Sequence, residues 1–90
     1  MDKENRTYAR RTLHARALMH KSGSIVLGEV VDLSMNGAFV TSAMQMEVGD
    51  VVTVTIFHTL TPQILSDLKA KVVRVTDLGM GLQFEKLLID

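Results

Sequence analysis

After a polar stretch over residues 1–11, short apolar runs alternate with turn-forming residues along the rest of the chain, which is the pattern of an all-β domain. Strands are expected over residues 14–19, 25–33, 38–41, 51–58, 68–76 and 80–85. Over 51–58, Val54 and Ile56 alternate strictly with Thr53 and Thr55. A period of two puts the aliphatic pair on one face and the threonines on the other. The same rule over 68–76 places Ala70, Val72 and Arg74 opposite Lys71, Val73 and Val75. Turns are expected at Lys21-Ser22-Gly23-Ser24, Ser34-Met35-Asn36-Gly37, Val48-Gly49-Asp50 and Asp77-Leu78-Gly79. Asn36-Gly37 favours a positive φ. Residues 59–66 are ambiguous: Pro62 argues against a central strand, while Ile64, Leu65 and Leu68 suit either a helical turn or the start of a strand. No internal repeat is apparent.

Six short strands with open edges invite aggregation, and closure removes the edges. The expected architecture is an antiparallel barrel over residues 12–86, carrying an arm over 1–11, as one domain spanning 1–90. Phe39, Phe57 and Phe84 are core candidates, and the six methionines are expected mainly to fill core gaps. The chain is 47% hydrophobic, too apolar for a disordered tail. It has no cysteine, so disulfides and thiolate metal sites are excluded. Neither a signal peptide nor a membrane-spanning run is apparent, so a cytoplasmic protein without membrane insertion is expected.

The net charge is zero, but it is unevenly spread. Residues 1–21 hold six basic side chains against Asp2 and Glu4, a balance of +4, and the remainder carries −4. A basic arm on an acidic body suits an anionic partner, although a solvated terminal segment explains the same count. Two features sharpen the choice. Arg6-Thr7-Tyr8-Ala9-Arg10 spaces two arginines by three residues, and Asp32-Leu33-Ser34-Met35-Asn36-Gly37 lies at a strand end. Arginine's planar fork matches the O6 and N7 acceptors of guanine and stacks on purines. A carboxylate such as Asp32 accepts from guanine's N1 and N2 donors. Ser34 has a hydroxyl for phosphate or sugar, and Gly37 permits either close approach or a positive φ. The competing reading is that Asp32 and Ser34 cap their own backbone turn.

Taken together, Arg6, Arg10 and Asp32-x-Ser34-x-x-Gly37 resemble the signature of PilZ domains. Val48-Gly49-Asp50-Val51-Val52, Val72-Val73-Arg74-Val75 and Gly79-Met80-Gly81-Leu82-Gln83-Phe84 are similar to later landmarks of that family, so the resemblance covers almost the whole chain. It implies a six-stranded antiparallel split β-barrel that binds the bacterial second messenger cyclic di-GMP on its outer surface. Arg6, Arg10, Asp32, Ser34 and Gly37 would form the site, with Arg11 and Met80 as further candidates. Ordering of the arm would signal to an effector protein, in pathways such as motility or biofilm formation. Asn5 stands where members that hold a stacked nucleotide dimer often carry another arginine, which favours one nucleotide per domain. Residues 86–90 are too few for the C-terminal helix found in many members. Some members lack the arginines and act as nucleotide-independent adaptors.

Other classes have less support. His14, His20 and His58 have no metal-ligand spacing, and no nucleophile–base motif appears, so neither a metal nor an enzyme is expected. Zero net charge and 4% aromatics offer nucleic acid little field or stacking platform. The expected assembly is a monomer or weak homodimer.

Overall fold

A computed structural model describes residues 13–42 and 46–86. Six antiparallel strands occupy them: β1 (Ala15–Lys21), β2 (Ser24–Leu33), β3 (Gly37–Thr41), β4 (Val51–His58), β5 (Ile64–Val75) and β6 (Met80–Phe84). They close into a barrel in the order β1-β2-β3-β6-β5-β4, with β4 pairing back to β1. Among the described residues no helix is long and apolar enough to cross a membrane.

Local sequence explains the turns. Ser22 and Gly23 join β1 to β2 with φ of 50° and 85°, and Lys21 pairs directly with Ser24. Positive φ at both central residues is what a type I′ hairpin turn requires. Asn36 and Gly37, by contrast, do not take positive φ. Gly37 is already a strand residue paired with Gln83, so the chain enters β3 extended. A Cβ on Gly37 would run into the Leu82 carbonyl oxygen. Close backbone packing of β3 on β6 explains this glycine.

Alternation places the core. Val52, Val54 and Ile56 of β4 are buried, and so are Ala70 and Val72 of β5. They meet Ala17 and Met19 of β1, Val40 of β3, and Met80, Leu82 and Phe84 of β6 in one cluster. Met46 closes the cluster from the β3–β4 connection. No polar or charged residue is buried among the described residues. Phe84 joins this core, but Phe39 and Phe57 are only half-buried. They share the outward phase of Thr41 and Thr55 on their strands.

Strand β5 begins earlier than expected, because Pro62 falls within the β4–β5 turn and Ile64 is already paired with Phe57. The register then shifts between Val54 and Ile56. Asp67, with φ of 57°, absorbs the shift, and its N–H donates to Thr55 Oγ1 at 3.3 Å. A second shift overturns the expected placing of Arg74. Val72 pairs with Leu82, but Arg74 pairs with Gly81, so Val73 is an extra residue on β5. This bulge resets the alternation and turns Arg74 outward. The same device operates on β2, where Val30 pairs with Val40 and Asp32 with Phe39, leaving Val31 extra.

These paired bulges expose an internal repeat that the sequence alone did not suggest. Val30, Asp32 and Leu33 pair across β2–β3 as Val72, Arg74 and Val75 pair across β5–β6, at a constant offset of 42 residues. The turns correspond as well. Ser34 N–H donates to the Gly37 carbonyl at 2.9 Å, and Thr76 N–H to the Gly79 carbonyl at 2.8 Å. Gly79 also lacks room for a Cβ, which would meet the Val40 carbonyl oxygen. Phe39 pairs with Gly81, its own counterpart in the repeat. The two hairpins are therefore related by a local two-fold axis between Phe39 and Gly81.

Candidate functional site

The outer face along this axis holds the candidate site. Following the register across four strands, Asp32 on β2 pairs with Phe39 on β3, Phe39 with Gly81 on β6, and Gly81 with Arg74 on β5. Asp32, Phe39 and Arg74 project from the barrel wall away from the core, and Gly81 takes the outward position between Phe39 and Arg74. They line an open depression of about 480 Å³ together with Ser34 and Gln83. That volume lies within the range of small-ligand sites.

The polar groups are held differently. Asp32 is exposed, and its carboxylate has no hydrogen-bond or ionic partner among the described residues. Ser34 is engaged in its own turn. Its Oγ accepts from the Asn36 N–H at 3.2 Å and donates to the Gly37 carbonyl at 3.4 Å. Capping of the local backbone therefore accounts for Ser34, as one of the two readings of the motif expects, but not for Asp32. Thr76 repeats the arrangement on the other hairpin, where its Oγ1 accepts from the Leu78 N–H at 3.1 Å and the Gly79 N–H at 3.3 Å. Gly37 lines the depression with backbone alone.

Arg74 is the residue that sequence reasoning missed. Its guanidinium carbon lies 5.4 Å from the centroid of the Phe39 ring, within cation–π range. The side chain reaches that ring across Gly81, where even an added Cβ would stand 3.6 Å from Arg74 Cβ. Arg74 forms no ion pair among the described residues. A signal was present in the sequence: strict alternation put an arginine on the apolar face of a strand, and a buried unpaired guanidinium is prohibitive. That conflict calls for a bulge.

Met80, a further candidate from the sequence, is only 2% exposed and packs inside the barrel. Its neighbour Gly81 takes the outward place. Asn5, Arg6, Arg10 and Arg11 lie outside the described residues.

Away from the depression, Lys21 Nζ and Asp50 Oδ2 form an ion pair at 3.1 Å. Asp50 Oδ2 also accepts from the Glu47 N–H at 2.9 Å. That backbone bond, and then Lys21, holds the Asp50 carboxyl below the usual carboxylate range. Among the described residues no group of three His, Cys, Asp or Glu side chains is arranged to hold a metal.

Fold and site together define a small antiparallel barrel module with a candidate binding face on its outer wall. The family model described as the PilZ domain matches residues 4–90, and the chain belongs to that family. Its members are cyclic di-GMP-binding and adaptor modules. Neither a curated protein nor a solved structure is similar enough to the chain to count as a match.

Proposed function

We propose that this PilZ domain is a cyclic di-GMP receptor and adaptor, a binding module rather than an enzyme. The observation that carries the proposal is the Asp32 carboxylate. It stands exposed and unpaired among the described residues, at the rim of an open depression, within the motif turn. A carboxylate there accepts from guanine N1 and N2. Arg6 and Arg10 would close over the ligand from the N-terminal arm and neutralise its phosphates, with charge-assisted bonds stronger than neutral ones. Gly37 lets β3 pack closely on β6 beside the depression, and Ser34 holds the turn through the Asn36 N–H and would redirect its hydroxyl proton from the Gly37 carbonyl to the ligand. Ordering of the arm on the nucleotide would then alter the surface presented to a partner protein in the cytoplasm.

Calorimetric titration of the whole chain with cyclic di-GMP tests this. Saturable heat at micromolar ligand is expected. Arg10→Ala should weaken binding by about 1.5–3 kcal/mol, or about tenfold or more. No heat at tens of micromolar ligand, with the barrel folded, refutes the proposal.

A further inference from the structure

The local two-fold axis meets a ligand that has a two-fold axis of its own. Cyclic di-GMP consists of two identical guanylate halves, and the depression lies between two hairpins of one design. The motif turn Asp32-x-Ser34-x-x-Gly37 has its counterpart in Arg74-x-Thr76-x-x-Gly79 on β5–β6. Both follow a bulge, both are closed by the same backbone bond, and both set a polar side chain at one end of the Asp32–Phe39–Gly81–Arg74 row.

We propose that the β5–β6 hairpin is the second half of the ligand site, and that Arg74 takes one guanine of the dinucleotide while Asp32 takes the other. This rests on the reading of the domain as a cyclic di-GMP receptor. The repeat is one of register and turn bonding, and the row itself carries different side chains in its two halves. A guanine has a donor edge, N1 and N2, and an acceptor edge, O6 and N7. The carboxylate of Asp32 serves the first edge and the guanidinium of Arg74 the second. Phe39 and Gly81 break the symmetry in the same sense. Gly81 sets no side chain beside Arg74, whose guanidinium lies over the Phe39 ring and is covered there at one face. The other face and the N–H fork, which has no ionic partner among the described residues, remain available for a base. A third arginine thus comes from the barrel wall, in addition to the two on the arm.

The test is calorimetric titration of wild type, Arg74→Gln and Arg74→Lys with cyclic di-GMP, with circular dichroism melts of each. Arg74 is exposed, so both variants should keep the barrel. Arg74→Gln is expected to bind about tenfold more weakly, in line with loss of a stacked guanidinium. Arg74→Lys should stay within about threefold of Arg74→Gln, because an ammonium keeps the charge but lacks the plane and the fork. Wild-type affinity in Arg74→Gln overturns the inference while leaving the receptor reading intact. Full recovery in Arg74→Lys overturns it too, since a point charge on phosphate would then suffice. A wild-type chain that binds no cyclic di-GMP removes both. Should both Arg74 variants unfold, Gly81→Val decides instead. It displaces the guanidinium from Phe39 without removing it, and unchanged affinity there refutes the second half-site.

Discussion

Asp32 and Arg74 stand at opposite ends of one cross-strand row, and each reaches the outer wall because the residue before it, Val31 or Val73, is extra to the strand register. Simple alternation would send both toward a core that contains no polar residue among those described. Neither side chain belongs there, since an unpaired buried charge costs several kcal/mol, roughly what the whole barrel has to spare. The bulges resolve this conflict and in doing so place two opposite charges beside one depression.

Asp32 is in position to serve a ligand without serving the fold. With no partner among the described residues, Asp32→Ala should change unfolding free energy by no more than about 0.5 kcal/mol. Its affinity for cyclic di-GMP should fall by about tenfold or more, through loss of a charge-assisted acceptor. Urea unfolding and calorimetry on the same sample separate the two effects. An equal loss in both would make Asp32 a structural residue.

Ser34 is the opposite case. Its hydroxyl already accepts from Asn36 and donates to Gly37, so Ser34→Ala should cost about 1 kcal/mol of stability before any ligand is added. Thr76→Ala, which removes the matching contacts, should cost a similar amount. Equilibrium unfolding of the pair measures both. Stability unchanged in either variant would show that the turn holds without its hydroxyl.

Much of the barrel was legible in the sequence for one reason: β4 is regular, and its alternating valines and threonines report both faces directly. The ends of strands were less so. Ile64 and Leu65 lie next to Pro62, and only pairing with Phe57 and Ile56 makes them a strand. The motif turn was visible as residue types, whereas the place of Arg74 beside Phe39 was not, because its signal was only a conflict with alternation and the cross-strand partner follows from the register. The internal repeat escaped for the same reason. It is a repeat of register, with Asp32 matched to Arg74 and Phe39 to Gly81, and most matched positions carry different residues, which removes the likeness that a sequence comparison would detect.

Gly37 and Gly79 should be among the least replaceable residues. A Cβ at either would meet a backbone carbonyl, Leu82 in one case and Val40 in the other, and neither carbonyl moves without parting β3 from β6. Gly37→Ala and Gly79→Ala should each destabilise by about 1–3 kcal/mol. Gly23→Ala has open space around it and bears only the strain of its positive φ, so it should cost about 1 kcal/mol. Midpoints of denaturant unfolding should rank the three in that order.

His58 caps the β4–β5 turn with a ring nitrogen. Its Nδ1 accepts from the Leu60 N–H at 3.0 Å and the Thr61 N–H at 3.1 Å. Asparagine carries an acceptor oxygen in nearly the same place, so His58→Asn should keep most of the stability, whereas His58→Leu should lose about 1 kcal/mol. Thermal melts at neutral pH make the comparison. Equal loss in both would mean that the ring's packing, near His14 at 6.2 Å between centroids, matters more than its acceptor.

Asp50 ties the pH dependence of the fold to the loop before β4. Its folded pKa lies below the ordinary carboxylate value, first because of the Glu47 N–H and then because of Lys21. In the unfolded chain both contacts are gone and the pKa returns to the ordinary range. The unfolded state then binds the proton more readily, so stability from this group is fully present above the unfolded pKa. It is lost as the pH falls through that value toward the lower folded one. The loop is also tied to β5 by its backbone: Gly49 N–H donates to the Val72 carbonyl at 2.7 Å, and Val72 N–H to the Asp50 carbonyl at 2.8 Å. Protonation of Asp50 weakens its contacts with Glu47 and Lys21, while these backbone bonds to β5 do not involve its carboxylate. Unfolding midpoints measured from pH 7 down through the carboxylate range should fall less steeply in Asp50→Asn than in wild type. Lys21→Met should reduce the slope by a smaller amount, because the Glu47 contact survives. Parallel acid profiles for wild type and Asp50→Asn would assign the dependence to other carboxylates.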